Sequence, residues 1–274
     1  MASCCQLALM RQIAALLLLC FLWGMEWLRE LLILPATPST LRAAITCTFA
    51  ALLYALFPRE RCSSWRGIAS ALGLFVFPIL LQQAAHLSGY TSAALWALTP
   101  VLIVVVCGAQ AAGLRQEMLI AALAGVAGTL LILPFQFPAS VTDGLHWLIL
   151  LAGIVSAAVA SVIAPEAAGF RTSGLLSGAA VLWIATLARR PISLSLPELL
   201  WIACIDLPAM LLLLWLLPQM RPEALSTRYL LPMAITTLTS WIALHQQMTV
   251  RFASGTILLI ASSMSLILLA RRTA

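Results

Sequence analysis

Apolar runs of membrane-crossing length follow one another from Gln12 almost to the last residue of this chain, and the stretches between them are short. Polar or proline-containing breaks divide the first half into spans at 12 to 33, 38 to 57, 67 to 87, 91 to 112 and 118 to 134. The second half gives 146 to 164, 172 to 188, 198 to 218, 225 to 245 and 251 to 270. Each holds roughly 17 to 22 residues, enough for a helix to cross a hydrocarbon core of about 30 Å. Composition agrees: 63% of the 274 residues are hydrophobic and 9% charged, against roughly 25% charged in ordinary soluble domains. So few charges could not cover the protein's own surface in water, so lipid is the expected solvent. The expected fold is an all-α integral membrane protein of ten transmembrane helices, with no room for a soluble domain.

The chain also echoes itself. Leu98, Thr99 and Pro100, then Gln116, Glu117 and Met118, then Gly125, return as Leu230, Leu231 and Pro232, then Gln246, Gln247 and Met248, then Gly255. The shift is about 130 residues, near half the length, and both copies sit in apolar segments. Five spans precede the second copy, so it begins on the opposite side of the bilayer. Two inverted five-helix repeats are expected, at residues 1–137 and 138–274, joined through the connector Phe135 to Leu145.

All 15 basic residues are Arg, scattered singly and in pairs between apolar runs, which argues for orientation in a bilayer and against nucleic-acid binding. With the N-terminus inside, Arg11, Arg59, Arg61, Arg66, Arg115, Arg171, Arg221, Arg228, Arg271 and Arg272 fall at cytoplasmic ends. Arg29, Arg42, Arg189, Arg190 and Arg251 fall opposite, although Arg42 and Arg228 lie inside spans. Ten against five predicts both termini cytoplasmic. The seven cysteines show no metal-site spacing and read mostly as small apolar residues, with adjacent Cys4 and Cys5 open to acylation. No metal or cofactor is expected.

Trp23 and Gly24 in the first span, Pro38 and Arg42 opening the second, Thr91 to Ala94 leading to Pro100, Gly113 to Glu117, and Gly125 with Gly128 together resemble the EamA-type members of the drug/metabolite transporter superfamily. The resemblance covers residues 12 to 134 well and the second half chiefly from Leu199 to Leu269, with Gln247 standing where the loop glutamate is expected. It implies a ten-helix inverted-repeat carrier in a plasma membrane, such as the bacterial inner membrane. Such a carrier moves small metabolites, amino acids or drugs, commonly outward, by alternating access.

Several residues have the chemistry to meet a solute. Pro78, Pro100, Pro208 and Pro232 fall inside spans, where each removes a backbone donor and bends its helix. The freed carbonyls of Pro100 and Pro232 would face a cavity or be repaired by neighbouring helices. Asp206, near the middle of the eighth span, would carry a coupling proton, bind a cationic solute or sit as a neutral acid bonded to another helix. Glu26 is expected to pair with Arg29 in a group that includes Glu30, or to reach the cavity itself. Gln82 and His86 share one helical face as i and i+4, able to bond a solute or a helix. Trp23, Trp96, Tyr229, Met233 and Thr236 cluster around these positions as adaptable contacts or as ordinary packing.

The leading expectation is a secondary carrier of small organic solutes, since the chain has no phosphate-binding P-loop, with proton coupling open. A lipid-linked substrate flippase of the same superfamily is the alternative. An intramembrane enzyme is a weaker one, because three scattered histidines and no HExxH offer little catalytic constellation.

Overall fold

Helix is the one regular conformation that satisfies a backbone from within when no water is at hand, and among the described residues the chain forms helices and no strand. The computed structural model describes residues 2–31, 39–56, 64–111, 113–135, 137–166, 170–188, 194–245, 247 and 249–272. Pro38, Arg59, Arg61, Cys62, Arg189, Arg190, Gln246 and Met248 lie outside these residues, as do the side chains of Cys4, Cys5, Arg29 and Glu30.

In chain order the helices are α1 (Ala2–Leu31), α2 (Ser39–Ala55), α3 (Trp65–Ala85), α4 (Gly89–Gln110) and α5 (Gln116–Ile132). They continue with α6 (Val141–Ile163), α7 (Phe170–Leu187), α8 (Leu196–Leu216), α9 (Leu231–Leu244) and α10 (Val250–Arg272). A short turn of helix, Pro222–Leu225, and a 3-10 turn, Ser226–Tyr229, lead into α9. The architecture is that of an all-α membrane protein. Among the described residues seven helices are long and apolar enough to cross a bilayer, fewer than the ten spans expected. The shortfall has a local cause: α2 and α5 have 17 residues each, and α9 keeps only 14 because the chain breaks at Leu230 ahead of Pro232. Seventeen residues rise about 26 Å, just under a typical core thickness.

Prolines set the irregularities. In α3 the residues Leu72–Val76 form a π-helical turn immediately before Phe77 and Pro78. In α8, Ile202–Asp206 form a π-helical turn immediately before Leu207 and Pro208. A proline ring cannot donate to the carbonyl four residues back and crowds it, and a widened turn relieves the clash. The same device recurs 130 residues apart, and in α8 it ends on Asp206.

The packed helix pairs include α5 with α10, α2 with α7, α3 with α6 and α7, α4 with α6, α8 with α1 and α2, and α9 with α1. Advancing every helix by five, with α10 followed by α1, returns the same set of pairs. At the α5–α10 crossing, Gly128 faces the Gly255 carbonyl and Gly255 faces the Gly128 carbonyl. The matching segments there are Gly128 to Ile132 and Gly255 to Leu259, each Gly-Thr followed by three aliphatic residues. Gly125, which the sequence echo aligned with Gly255, lies instead against Leu230 and Ser262. Small residues are what let two backbones come this close in lipid. The α5 carbonyl ends at Leu130, Leu131 and Leu133 receive the Arg251 guanidinium, a cation placed at a helix C-terminus. The connector expected to join the two halves carries Phe135 and Phe137, whose rings meet each other and that of Trp147 at 5.0 to 6.4 Å, and α6 begins at a Ser140/Asp143 capping box.

A Cβ on Gly128 would stand 2.9 Å from the Gly255 carbonyl oxygen, whereas one on Gly144 meets nothing within 4 Å. Gly128→Leu should therefore cost about 1–3 kcal/mol through forced separation of α5 and α10. Unfolding of the detergent-solubilised protein, with Gly144→Ala expected near wild type, measures the difference.

Candidate functional site: two cavities on either side of Trp23

Two cavities share a wall made by Trp23 and Glu26 of α1. The first, about 320 Å³, lies where α1 meets the broken stretches of α4 and α9. The second, about 260 Å³, lies between α1, α2, α3 and α8.

The second is dominated by a three-helix ion cluster. Arg42 of α2 donates through Nε and Nη2 to the Asp206 carboxylate of α8, at 3.1 and 2.7 Å. The same guanidinium reaches both oxygens of Glu26 on α1, with Nη2 2.7 Å from Oε2 and Nη1 on Oε1. Trp201 Nε1 donates to Glu26 Oε2 at 3.1 Å. Arginine suits this position because its planar fork serves two carboxylates at once and stays charged. The π-helical turn re-aims Asp206 and so completes the set. Ser39, Thr46, Cys47 and Met210 add to the wall around it.

The first cavity holds the aromatic groups. Trp96 and Tyr229 stack face to face, with centroids 5.9 Å apart and planes 6° from parallel. Trp96 Nε1 donates to Gln82 Oε1 at 3.3 Å. Arg228, only 1% exposed, stands at the end of the 3-10 turn. Its Cζ lies 4.8 Å from the Tyr229 ring centroid and 6.0 Å from that of Trp23. Its Nη2 donates to Ser161 Oγ at 2.8 Å and to the Tyr229 hydroxyl at 3.0 Å, while Nε donates to nothing. Among the described residues no carboxylate ion-pairs with it. Ser92, Ala93, Pro232 and Met233 complete the lining.

Seven of the eleven residues singled out from sequence therefore line the first cavity: Trp23, Glu26, Gln82, Trp96, Tyr229, Pro232 and Met233. Asp206 lines the second, as Trp23 and Glu26 also do. The other three line neither. α3 ends at Ala85, so His86 leaves the helical face of Gln82, takes a left-handed backbone at φ 47° and meets His146 ring to ring at 6.2 Å. Pro100 is buried, and the Trp96 carbonyl it deprives of a donor is satisfied by Thr99 Oγ1 at 2.7 Å. Thr236 bridges α9 to α1, its hydroxyl shared between the Pro232 and Gly24 carbonyls. Glu26 engages Arg42 and Trp201, and its expected pairing with Arg29 falls on a side chain outside the described residues.

Arg42 and Arg228 were read from sequence as family motif and topology markers, and both are site residues. The signal was present: a basic residue inside an apolar span is costly unless it faces a partner or a cavity. Trp201 and Ser161 carried no such signal. A larger cavity of about 540 Å³ opens between α3 and α6 beside Trp65 and Arg66, apart from both charged centres. Among the described residues no three His, Cys, Asp or Glu side chains converge to hold a metal ion.

The cluster's stability rests on charge balance. Arg42→Met would remove the guanidinium that bridges Glu26 and Asp206, at a cost of about 3 kcal/mol. Adding Glu26→Gln and Asp206→Asn should recover most of that loss, as read from unfolding midpoints in detergent.

No protein-family model matches the chain, and no curated protein does. A solved structure described only as a crystal structure of a protein aligns with a TM-score of 0.77, 21% identity, 96% of this chain covered and 98% of its own. At that identity the likeness shows a shared fold.

Proposed function

We propose that this protein is a secondary carrier of small organic solutes, of the EamA type that the first half resembles. In this proposal α1 to α5 and α6 to α10 are inverted repeats, at residues 1–137 and 138–274. The two 17-residue helices and the broken α9 complete ten spans, with both termini cytoplasmic. Arg42 and Arg228 belong to internal sites and leave the orientation count. Nine against four still favours a cytoplasmic N-terminus.

The observation that carries the proposal is the first cavity. It is of small-molecule size, walled by flat aromatics with a few convergent polar groups, and sits where α4 and α9 both break. The exchange of helix pairs under a five-helix advance supports two similar bodies that can rock against each other. The ion cluster ties α1 and α2 of one body to α8 of the other, so it would have to loosen or rotate as a unit during the cycle. Protonation of Asp206 or Glu26 is the simplest way to loosen it, which is how a proton gradient would couple. The flippase alternative draws on the larger cavity, where Arg66, Ser70 and Ser156 offer polar groups along a side opening.

Counterflow of a solute panel into proteoliposomes tests the proposal. For any solute carried, Trp96→Ala and Tyr229→Ala should each slow exchange about tenfold, the equivalent of one lost aromatic stack. Ser70→Ala at the larger cavity should leave it near wild type. Absence of flux for every solute with folded protein would overturn the carrier assignment, and sensitivity to Ser70 with indifference to Trp96 would favour the flippase.

A further inference from the structure

We propose that Arg228 anchors the carboxylate of a monoanionic solute with a flat apolar body, which fixes the substrate class of the first cavity. The inference rests on the carrier proposal for that cavity.

Among the described residues Arg228 is a charge without a counter-charge. It is almost wholly buried, its two hydrogen-bond acceptors are neutral hydroxyls, and its Nε–H meets no acceptor. The faces of Tyr229 and Trp23 offset part of its charge through their ring quadrupoles, but they provide no anion. A guanidinium kept in this state is expensive unless something completes it. A merely structural arginine would be expected to carry a carboxylate or backbone carbonyls as partners, as Arg42 and Arg251 do.

The nearby acids cannot serve as that partner. Glu26 and Asp206 are both engaged by Arg42. Glu26 lines the first cavity as well, so a dianion such as a phosphate ester would place surplus negative charge beside it. One carboxylate neutralises one guanidinium, forms charge-assisted bonds with its free donor, and leaves the rest of the cavity apolar. The parallel Trp96–Tyr229 stack, with Met233 beside it, accepts a flat ring. The volume of about 320 Å³ suits one aromatic acid.

Calorimetry on the full-length protein in detergent, with 2-naphthoate, 2-naphthamide and 2-naphthylmethylamine as probes, tests this directly. The three share a ring system and differ in charge. The acid should bind at least about tenfold more tightly than the amide, and the amine should bind no better than the amide. Arg228→Met should bring the acid to the level of the amide. Arg228→Lys, which keeps the charge but loses the planar fork, should retain part of the preference. Equal binding of acid and amide, tighter binding of the amine, no binding of the acid, or a preference that survives Arg228→Met would each overturn the assignment. If Arg228→Met does not fold, the wild-type ranking and the lysine variant decide. Flux of neutral or cationic solutes without acid preference would leave the carrier proposal standing while removing this one.

Discussion

Arg42 holds the interior of this protein together. In a medium without water, two carboxylates from α1 and α8 could not both stay ionised unless a cation stood between them, and Arg42 of α2 supplies that cation through one planar fork. Three helices distant in sequence are thereby brought to one point. Trp23 and Glu26, on successive exposures of the same α1 face, become the wall shared by both cavities. The position of the aromatic cavity depends on this knot, since α1 is the element common to both.

Helix irregularity does the rest of the positioning. Pro78 and Pro208 widen α3 and α8 into π-helical turns, and Pro100 and Pro232 interrupt the rods of α4 and α9. Each break turns side chains away from the direction a straight helix would give them. Asp206 meets Arg42 at the end of a π turn, and Arg228 and Tyr229 enter the cavity at the end of a 3-10 turn. A local hydroxyl repairs what Pro100 removes, as Thr99 bonds the Trp96 carbonyl, while the Thr236 hydroxyl ties the Pro232 carbonyl to that of Gly24.

Much of the site was legible one residue at a time. Trp96, Tyr229 and Met233 could be found because aromatics and methionine near a proline break suggest a cavity wall, Trp23 because it belongs to the motif that carries the family resemblance, and Asp206 because an acid in an apolar span is conspicuous. Partners were not legible. Arg42 contacts Asp206 across 164 positions of sequence, and no periodicity within one helix reports such a distance. His86 failed for a smaller reason: the i and i+4 relation with Gln82 holds only while the helix continues, and α3 stops at Ala85. The glycine echo shifted for another reason: the longer echo aligned Gly125 with Gly255, whereas the Gly-Thr run that meets Gly255 at the α5–α10 crossing begins at Gly128.

The sequence by itself determined the solvent, the helical class and the approximate limits of the spans, since these follow from how many apolar residues lie in a row and from the cost of unsatisfied backbone in hydrocarbon. It also determined where helices would break, because proline lacks a donor wherever it stands. Only the tertiary structure decided which buried charges neutralise one another and which is left over. Arg42 and Arg228 look alike as single basic residues in apolar spans. One closes an ion cluster, and the other faces an aromatic cavity with no counter-ion among the described residues. That difference arises from helices meeting far apart along the chain, where charge and shape are settled together.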